Sequence, residues 1–282
     1  PACRFHVHGP AQRTRQGIRR RTGTTITSST IWPCGRRQVG STSQAFPFIH
    51  WLWRNGFFLP ADEVRHVEYT LIDENGKPWT PRNANKKLIG DMVTVKWGLA
   101  NSDNWITAYL MSKLNPYNLK RLIHTFGVRN RDIVPSVSLC LGPCEISVGE
   151  MVSAYTAFPN KGIRVAPLFV TRIEDNDGNV LATFAPEMQE VISVSSAYKM
   201  LVMLRAVVNE GTGGRVRRLG VKADWAARPE RQTTMPTAGL WASRLRSCLV
   251  AGWAVRTATS TSIRCFTDKV LPWHCLSGPN TW

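Results

Sequence analysis

The sequence predicts an α+β fold for residues 35–223 of the 282-residue chain. Three observations lead to this prediction. Apolar residues recur at helical spacing through residues 86–165. Short stretches at 68–72, 168–173 and 180–184 have strand character. Clusters of Gly, Asn, Asp and Pro separate the two kinds of pattern. Strands that flank a block of helices along the chain are typical of the α+β class.

The first helical block has three apolar faces whose residues lie mostly three or four positions apart. These faces consist of Met92, Val95 and Leu99; Trp105, Ile106, Tyr109 and Leu110; and Leu119, Leu122, Ile123 and Phe126. Asn115 followed by Pro116 predicts the start of the third helix, and Gly127 predicts its end. We expect the apolar faces to form core, and we expect His124, which lies off the third face, to be solvated.

Two further helices are predicted toward the end of this segment. Ser147-Val148-Gly149-Glu150 fits a capping box, in which a Ser side chain and a Glu side chain satisfy each other's backbone N–H groups. A buried stripe follows at Met151, Ala154, Tyr155 and Phe158. Ser195 is predicted to cap the last helix, which ends at Asn209-Glu210-Gly211-Thr212-Gly213.

The strand predictions are joined by recognisable turns. Residues 73–78, Asp-Glu-Asn-Gly-Lys-Pro, predict a turn after the strand at 68–72. Asn176-Asp177-Gly178-Asn179 predicts a hairpin between the strands at 168–173 and 180–184.

The net charge of +17 is unevenly distributed along the chain. Residues 1–60 contain nine Arg and no Lys, Asp or Glu, whereas residues 61–223 contain 20 basic and 16 acidic side chains. An Arg-rich segment can bind nucleic acid through phosphate contacts. We do not expect nucleic-acid binding, because most of the excess charge lies in a segment without helical or strand periodicity.

The start of the chain and its cysteines do not indicate the cellular compartment of the protein. The chain begins at Pro1 without an initiator Met, so we expect it to be a fragment. No run of 18 apolar residues predicts a membrane span. The seven Cys show no Cys-x-x-Cys spacing, and we expect free thiols rather than disulfides or a metal site.

A polar triplet, Ser102-Asp103-Asn104, lies at the joint between the first two predicted helices. Such a joint can place a hydroxyl and an amide in a cleft. Ser-Asp-Asn belongs, together with Ser-x-x-Lys and Lys-Thr-Gly, to the active-site set of penicillin-binding proteins and class A β-lactamases. Upstream, Gly35-Arg36-Arg37-Gln38-Val39-Gly40-Ser41-Thr42 is similar to the stretch around the nucleophilic serine in the first of these families.

The chain resembles the transpeptidase domain of class A penicillin-binding proteins over residues 35–43 and 54–221. Besides the stretches around Ser41 and Ser102, Trp79-Thr80-Pro81-Arg82-Asn83 resembles a family segment that precedes the Ser-x-Asn loop. The most specific match is residues 141–162, which resemble the family's Leu-Gly-x-x-Glu-(Val/Ile)-Ser-x-x-Glu-Met-x-x-Ala-Tyr-x-x-Phe-x-Asn-x-Gly segment. We expect this segment to line one side of the cleft.

The resemblance implies a fold and a chemistry. The fold is the penicillin-binding protein/serine β-lactamase-like fold, a mixed sheet plus a helical lobe that we place at about 86–165. Ser41 would be the nucleophile, Ser102 would relay a proton, and Asn104 would bind the substrate amide. The partners implied are peptidoglycan stem peptides ending in D-Ala-D-Ala, and β-lactams, with no cofactor and no metal. The family works at the periplasmic face of the bacterial inner membrane, and this chain would be attached there only through an N-terminal anchor outside it. The family's parent proteins also carry a glycosyltransferase domain, which nothing here matches.

Two departures from the family pattern predict an inactive chain. The Lys of Ser-x-x-Lys, which takes the serine's proton, is replaced by Gln44, and a neutral amide cannot act as a base. No Lys-Thr-Gly occurs after Ser102. The family uses that motif to bind the substrate carboxylate and to help form the oxyanion site.

Codon arithmetic suggests why the motifs are missing. Reading Trp225–Ala242 across neighbouring codons permits Gly-Gly-Lys-Thr-Gly-Thr-Thr-Asn-Asn-Asn-Ala-Asp-Gly-Trp-Phe-Met-Gly, with the lysine arising across Ala227 and Arg228. A shift at 44–48 permits Lys-Pro-Phe-Leu. We therefore predict that residues near 1–33, 43–53 and 224–282 are out-of-frame translation.

This hypothesis sets the expected domain organisation. The segment 1–34 is expected to be irregular, residues 35–223 to be the transpeptidase core, and 224–282 to be a remnant of the C-terminal strands. The sheet would then be incomplete, and a compact, well-packed sheet over 224–282 would count against the hypothesis. Two other functions remain open at this point, a serine β-lactamase-like hydrolase and a non-catalytic basic nucleic-acid-binding protein.

Overall fold

The fold was analysed in a computed structural model of the chain. It describes residues 4–8, 14–15, 36–54, 59–168, 170–175, 177–214, 217, 225–231, 237–244 and 247–255. The predictions for 9–13, 16–35 and 256–282 lie outside the described residues.

Helices and strands alternate irregularly, as expected for an α+β protein, and the α+β class is confirmed. The described α-helices are α1 Ala45–Arg54, α2 Val95–Ala100, α3 Asn104–Ser112, α4 Pro116–Thr125, α5 Val148–Thr156 and α6 Val194–Asn209. Two 3₁₀ helices, η1 Gly40–Gln44 and η2 Val137–Leu141, join them. The helices thus cluster where the sequence predicted a helical lobe, with α1 and α6 on either side of that segment.

The strands are short and pair antiparallel. They are β1 Arg4–His8, β2 Thr14–Arg15, β3 Arg36–Gln38, β4 Glu63–Arg65, β5 Leu71–Ile72, β6 Pro78–Trp79, β7 Met92–Thr94, β8 Glu145–Ser147, β9 Ile163–Val165, β10 Arg172–Glu174, β11 Val180–Thr183, β12 Met188–Glu190, β13 Trp225–Arg231, β14 Thr237–Arg244 and β15 Ser247–Val255. Two sheets are larger than a pair, with strand orders β11-β10-β1-β2 and β13-β14-β15.

The core is built around α1. Helices α3, α4 and α6 all pack against it. Phe46 on α1 contacts Phe126 edge to face, with ring centroids 5.5 Å apart, and Phe126 contacts Phe158 at 5.8 Å. All three rings are fully buried. Because edge-to-face aromatic pairs add to the hydrophobic gain of burial, this cluster fixes α1, and with it η1, against the helical lobe.

Most predicted caps and stripes are confirmed. Asn115 caps α4, with Pro116 at the first helical position. The capping box of Ser147 and Glu150 is present, and the stripe that follows it is buried. The described part of the predicted turn, residues 177–179, lies between β10 and β11, which pair antiparallel.

Several local predictions were wrong. Met92 lies in β7 and is exposed, because helix α2 begins only at Val95, where the Thr94 hydroxyl accepts a hydrogen bond from the Trp97 N–H. The cap of α6 is Ser193, two residues before the predicted Ser195. The strands predicted at 68–72 and 168–173 are shorter or shifted, at β5 and β10. His124 is half-buried, since its Nδ1 lies 2.8 Å from the Val128 carbonyl oxygen.

The C-terminal strands form an antiparallel sheet, in which Trp225 pairs with Arg244 and Thr237 pairs with Val255, with a register shift between Ala238 and Leu240. Strand β13 packs against α6 and η1. Side chains are described in this sheet only for Ala226 and Arg228, both buried. A sheet over 225–255 is the arrangement that we expected to count against displaced reading, but side-chain packing over the full stretch is not described. The out-of-frame hypothesis therefore stays a prediction.

Glu150 gives the first testable prediction. Its carboxylate accepts hydrogen bonds from the Ser147 N–H, the Ser147 hydroxyl and the Arg129 N–H, at 2.9, 2.8 and 2.8 Å. Burial raises the pKa of this carboxyl, but these hydrogen bonds and the charge of Arg36 together outweigh it, so the folded pKa lies below the ordinary value. The stabilisation is therefore present above the unfolded value of about 4.3 and is lost as pH falls through the folded pKa.

We expect Glu150→Gln to lower the free energy of unfolding by about 1 kcal/mol at neutral pH. The difference from wild type should shrink as the pH falls below about 4.3, the unfolded value, as measured by urea denaturation from neutral pH down to about pH 3. Glu145→Gln, at an exposed carboxylate on the adjacent strand, is the control. A deficit in Glu150→Gln that does not change with pH would contradict this account.

Candidate active site

The predicted nucleophile turn lies at the N-terminal end of the central helix. Ser41 is half-buried in η1, which runs directly into α1. The next residue, Thr42, is fixed by hydrogen bonds of its hydroxyl group and its carbonyl group. Its hydroxyl donates to the Val39 carbonyl at 2.6 Å, and its carbonyl accepts from the Tyr155 hydroxyl at 2.6 Å. A buried side chain of α5 therefore fastens the backbone beside Ser41.

The segment that follows η2 supports the same turn from its other side. The Val39 N–H donates to the Cys144 carbonyl at 3.2 Å, and the Gly40 N–H donates to the Gly142 carbonyl at 2.9 Å. Gly142 has a φ of 75°, and a Cβ there would lie within 3.0 Å of the Gly40 carbonyl oxygen and of Ser43 Oγ. Residues 141–162 therefore support the nucleophile turn through backbone contacts. These contacts leave no room for a side chain at Gly142.

The second loop is formed where α2 meets α3. Ser102 adopts a φ of 56°, in the left-handed region that a non-glycine residue seldom occupies. Asp103 caps α3, and its Oδ1 accepts from the Trp105 and Ile106 N–H groups at 3.0 Å each. Asn104 begins the helix, and its amide donates to the Arg82 carbonyl at 2.7 Å. The loop is therefore fixed on the helix side by a buried carboxylate.

The segment that follows α6 contacts the backbone just before this loop. The Thr212 N–H donates to the Ala100 carbonyl at 3.0 Å. Gly211 lies so close to the same carbonyl that a Cβ on it would come within 3.0 Å of the oxygen. The Gly-Thr-Gly segment at 211–213, just after α6, therefore packs directly on the backbone that leads to Ser102.

Gln44 joins the two loops. Its fully buried side chain donates through Nε2 to Asn104 Oδ1 at 2.9 Å, and its Oε1 lies 3.5 Å from the Ser102 hydroxyl. Residues i and i+3 of a helix share a face, so Ser41 and Gln44 face the same side. Ser102 and Asn104 both contact the Gln44 side chain, and Ser41 lies three positions before it, so the neutral amide at position 44 joins the two loops.

Arg228 is the residue of this site that the sequence analysis did not assign. Its Nη2 donates to Gln44 Oε1 and, at 2.9 Å, to Ser102 Oγ. Its Nε donates to the Ser41 carbonyl at 2.9 Å. Nη1 donates to the Leu99 carbonyl at 2.5 Å. The guanidinium thus brings a buried positive charge from β13 into contact with both serine loops.

A sequence signal for Arg228 did exist. The lysine permitted by the shifted codons arises across Ala227 and Arg228, so the hypothesis had already marked this position as the one that should supply a cation. Only the contacts of the guanidinium in the folded chain show where this side chain lies.

Other reactive groups near the site are unsuited to its chemistry. Cys140 and Cys144 are free and buried, and burial raises the pKa of each thiol to about 12. They remain protonated at neutral pH, and a thiol without its anion is a poor nucleophile. Within the described part of the chain, no group of three or more His, Cys, Asp or Glu side chains is placed to hold a metal ion.

Comparison with known proteins agrees with this geometry. A family model for the penicillin binding protein transpeptidase domain matches residues 49–228. Penicillin-binding protein 1A of Aquifex aeolicus is 34% identical over 158 residues, which are 53% of this chain and 21% of that protein. Penicillin-binding protein 1A of Neisseria meningitidis is 28% identical over 191 residues, 65% of this chain and 24% of that protein. The chain thus spans about a fifth to a quarter of the length of these relatives.

Solved structures show the same fold. Penicillin-binding protein 1A from Haemophilus influenzae superposes with a TM-score of 0.67 at 19% identity, covering 74% of this chain and 36% of that one. The D,D-transpeptidase domain of a peptidoglycan glycosyltransferase from Eggerthella lenta gives a TM-score of 0.60 at 18% identity, covering 73% and 57%. These comparisons support neither the β-lactamase alternative nor the nucleic-acid-binding alternative.

Proposed function

The chain belongs to the penicillin-binding protein transpeptidase family, and from this premise we propose that its site recognises the substrates of that family without being acylated by them. The substrates are peptidoglycan stem peptides ending in D-Ala-D-Ala, and β-lactams that imitate them. Ser41 is the residue that would be acylated, Ser102 the proton relay and Asn104 the group that binds the substrate amide. The observation that carries the proposal is Gln44, buried against Ser102 and Asn104 where the family has its base.

The chemistry explains why acylation fails. When a serine hydroxyl attacks a carbonyl, its proton must pass to a nearby base, or the attacking oxygen stays weakly nucleophilic. The Gln44 amide has no basic nitrogen, and its Oε1 already accepts from Arg228. The guanidinium cannot take the proton either, because it stays charged at any ordinary pH. The site therefore keeps its shape and its positive charge but has no proton acceptor at position 44.

We expect no covalent adduct when the chain is incubated with benzylpenicillin and its intact mass is measured. Gln44→Lys should give a one-to-one adduct on Ser41, with an acylation rate about 10²–10⁴-fold above that of the parent chain, the range of general-base catalysis. Burial and the neighbouring Arg228 cation both favour the uncharged amine, which is the form that can act as a base.

The matched control is Ser41→Ala in the Gln44→Lys background, which should not be labelled. Circular dichroism and thermal unfolding confirm that each variant is folded. An adduct on the parent chain would contradict its proposed inactivity. A folded Gln44→Lys variant that takes up no penicillin would contradict the role given to position 44.

The location follows from the same premise. We propose that the parent protein works at the periplasmic face of the bacterial inner membrane. Within the described residues, no helix has the length and apolar character needed to cross a bilayer.

We also propose that the missing lysines reflect displaced reading of the gene near residues 1–33, 43–53 and 224–282. The family match ends at 228, close to the predicted displacement, and Arg228 lies where the displaced codons would write a lysine. Helix α1 has its apolar side buried in the core. This burial argues against a long displacement of the reading frame at 43–53. Sequencing the coding DNA across codons 30–55 and 215–245 decides the matter: a single-base correction that restores both motifs supports the proposal, and an intact written frame refutes it.

A further inference from the structure

We propose that His66, at the end of β4, is a positioning residue for the Ser102–Asn104 loop and acts as an imidazolium paired with Asp103. The inference rests on the proposed role of Ser102 and Asn104. His66 Nε2 lies 2.8 Å from Asp103 Oδ2, and both side chains are completely buried. Nothing in the proposed acylation chemistry uses this pair, although it lies directly beneath the loop that does.

The protonation of the ring follows from its hydrogen-bond partners. Nδ1 lies 3.1 Å from the Leu88 carbonyl oxygen, which can only accept, so Nδ1 carries a hydrogen. Nε2 faces a carboxylate oxygen at 2.8 Å, and two lone pairs would repel each other at that distance. One proton must therefore lie between Nε2 and Asp103 Oδ2.

Asn83 does not supply that proton. Its amide has two hydrogens, and the two nearest acceptors are Asp103 Oδ2 at 2.7 Å and the Asn85 carbonyl at 3.1 Å. The 3.2 Å contact of the same nitrogen with His66 Nε2 is thus left without a hydrogen. The proton between His66 and Asp103 belongs to that pair alone.

The proton resides on the ring rather than on the carboxyl group. Asp103 accepts hydrogen bonds from the Trp105 N–H, the Ile106 N–H and the Asn83 amide. Three donors favour the ionised carboxylate, and so does the N-terminus of the nine-residue helix α3. His66 is therefore the cation of a buried ion pair.

The pair controls the loop because Asp103 lies between Ser102 and Asn104, the two residues that contact the Gln44 side chain. Ser102, immediately before it, holds a left-handed backbone conformation that persists only where the surroundings enforce it. Asn104, immediately after it, places its N–H 3.4 Å from the Asn83 side-chain oxygen, and Asn83 also holds Asp103. Fixing the carboxylate therefore fixes the direction of both neighbouring side chains.

The ring is itself fixed on all sides. Its centroid lies 5.2 Å from that of Trp97 on α2 and 5.1 Å from that of Trp105 on α3, the two helices that flank the loop. The His66 backbone donates to the Asp91 carbonyl and accepts from the Gly90 N–H, at 2.9 and 2.8 Å. His66 thus ties the edge of the β4–β7 pair to the joint between the helices.

The first test is made on the full chain and needs no enzymatic activity. In a ¹⁵N-histidine-labelled sample at about pH 7, the His66 ring should show two protonated nitrogens, identified by the loss of its signals in His66→Gln. His124, which has one ring contact with a carbonyl, is the reference, and His124→Gln is the matched control variant. A neutral His66 ring, with one bare nitrogen, overturns the proposal.

The second test measures positioning. His66→Gln should shift the backbone amide resonances of Ser102 and Asn104, whereas His124→Gln should leave them in place. In the Gln44→Lys background, His66→Gln should slow penicillin acylation by up to about a hundredfold, the cost of misplaced groups, with a smaller effect from His124→Gln. Unchanged loop resonances and an unchanged rate in a folded His66→Gln variant overturn the proposal.

The two tests also distinguish a failure of this inference from a failure of the proposed function. If Gln44→Lys is never acylated, the proposed function fails, while the ring nitrogens and loop resonances still decide the role of His66. If His66→Gln does not fold, the His66 signals are assigned by through-bond correlation to its backbone, and the ring measurement on the parent chain still decides its charge.

Discussion

Gly142→Ala is expected to lower the free energy of unfolding by about 2–4 kcal/mol. About 1–2 kcal/mol comes from placing an L-residue in the left-handed region, and the rest from overpacking against a backbone that cannot give way. The close neighbours of the added methyl group are the Gly40 carbonyl oxygen and Ser43 Oγ, which belong to the nucleophile turn. The damage should therefore reach Ser41, since the turn must move to admit the methyl group.

Gly76→Ala measures the backbone contribution alone, so its difference from Gly142→Ala gives the overpacking contribution. Gly76 has nearly the same φ, 73° against 75°, but no atom lies within 4 Å of a Cβ there. Urea denaturation of both variants should show a loss at Gly142 clearly larger than that at Gly76. Equal losses would mean that the backbone conformation alone matters and that 141–162 does not support the nucleophile turn by close packing.

Asp103→Ala is expected to cost about 3–5 kcal/mol of stability, the range for removing one partner of a buried ion pair. The variant leaves His66 buried without its carboxylate and leaves the Trp105 and Ile106 N–H groups of α3 without their acceptor, Oδ1. It also deprives Asn83 of its nearest acceptor. Helix α3 should fray at its N-terminus, where Asn104 lies.

The control is Asn115→Ala, which removes the exposed cap of the neighbouring helix α4. Asn115 Oδ1 accepts from one N–H, that of Tyr117, at 2.8 Å. Its loss should cost about 1 kcal/mol, the usual value for an N-cap. Thermal or urea denaturation of both variants measures the difference. If Asp103→Ala costs no more than Asn115→Ala, Asp103 is an ordinary helix cap and the buried pair contributes nothing beyond it.

Local sequence patterns predicted the elements that depend on neighbours in the chain. The capping box at Ser147, the Asn115-Pro116 helix start and the hairpin at 176–179 involve residues at most four positions apart, so their chemistry is written in short motifs. The same patterns failed at Met92 and Ser195. Apolar spacing does not distinguish the end of a strand from the first turn of a helix, and the three serines at 193, 195 and 196 are equivalent caps until one accepts an N–H.

The sequence by itself determined the family and the α+β class, because motif residues specify their chemistry wherever the chain carries them. It also determined that position 44 has no base. The tertiary structure alone decided the role of Arg228, which reaches Ser102 across 126 positions of the chain, and of His66, whose partner Asp103 comes from another element. Contacts of this kind depend on how strands and helices pack, and no local period or spacing encodes them.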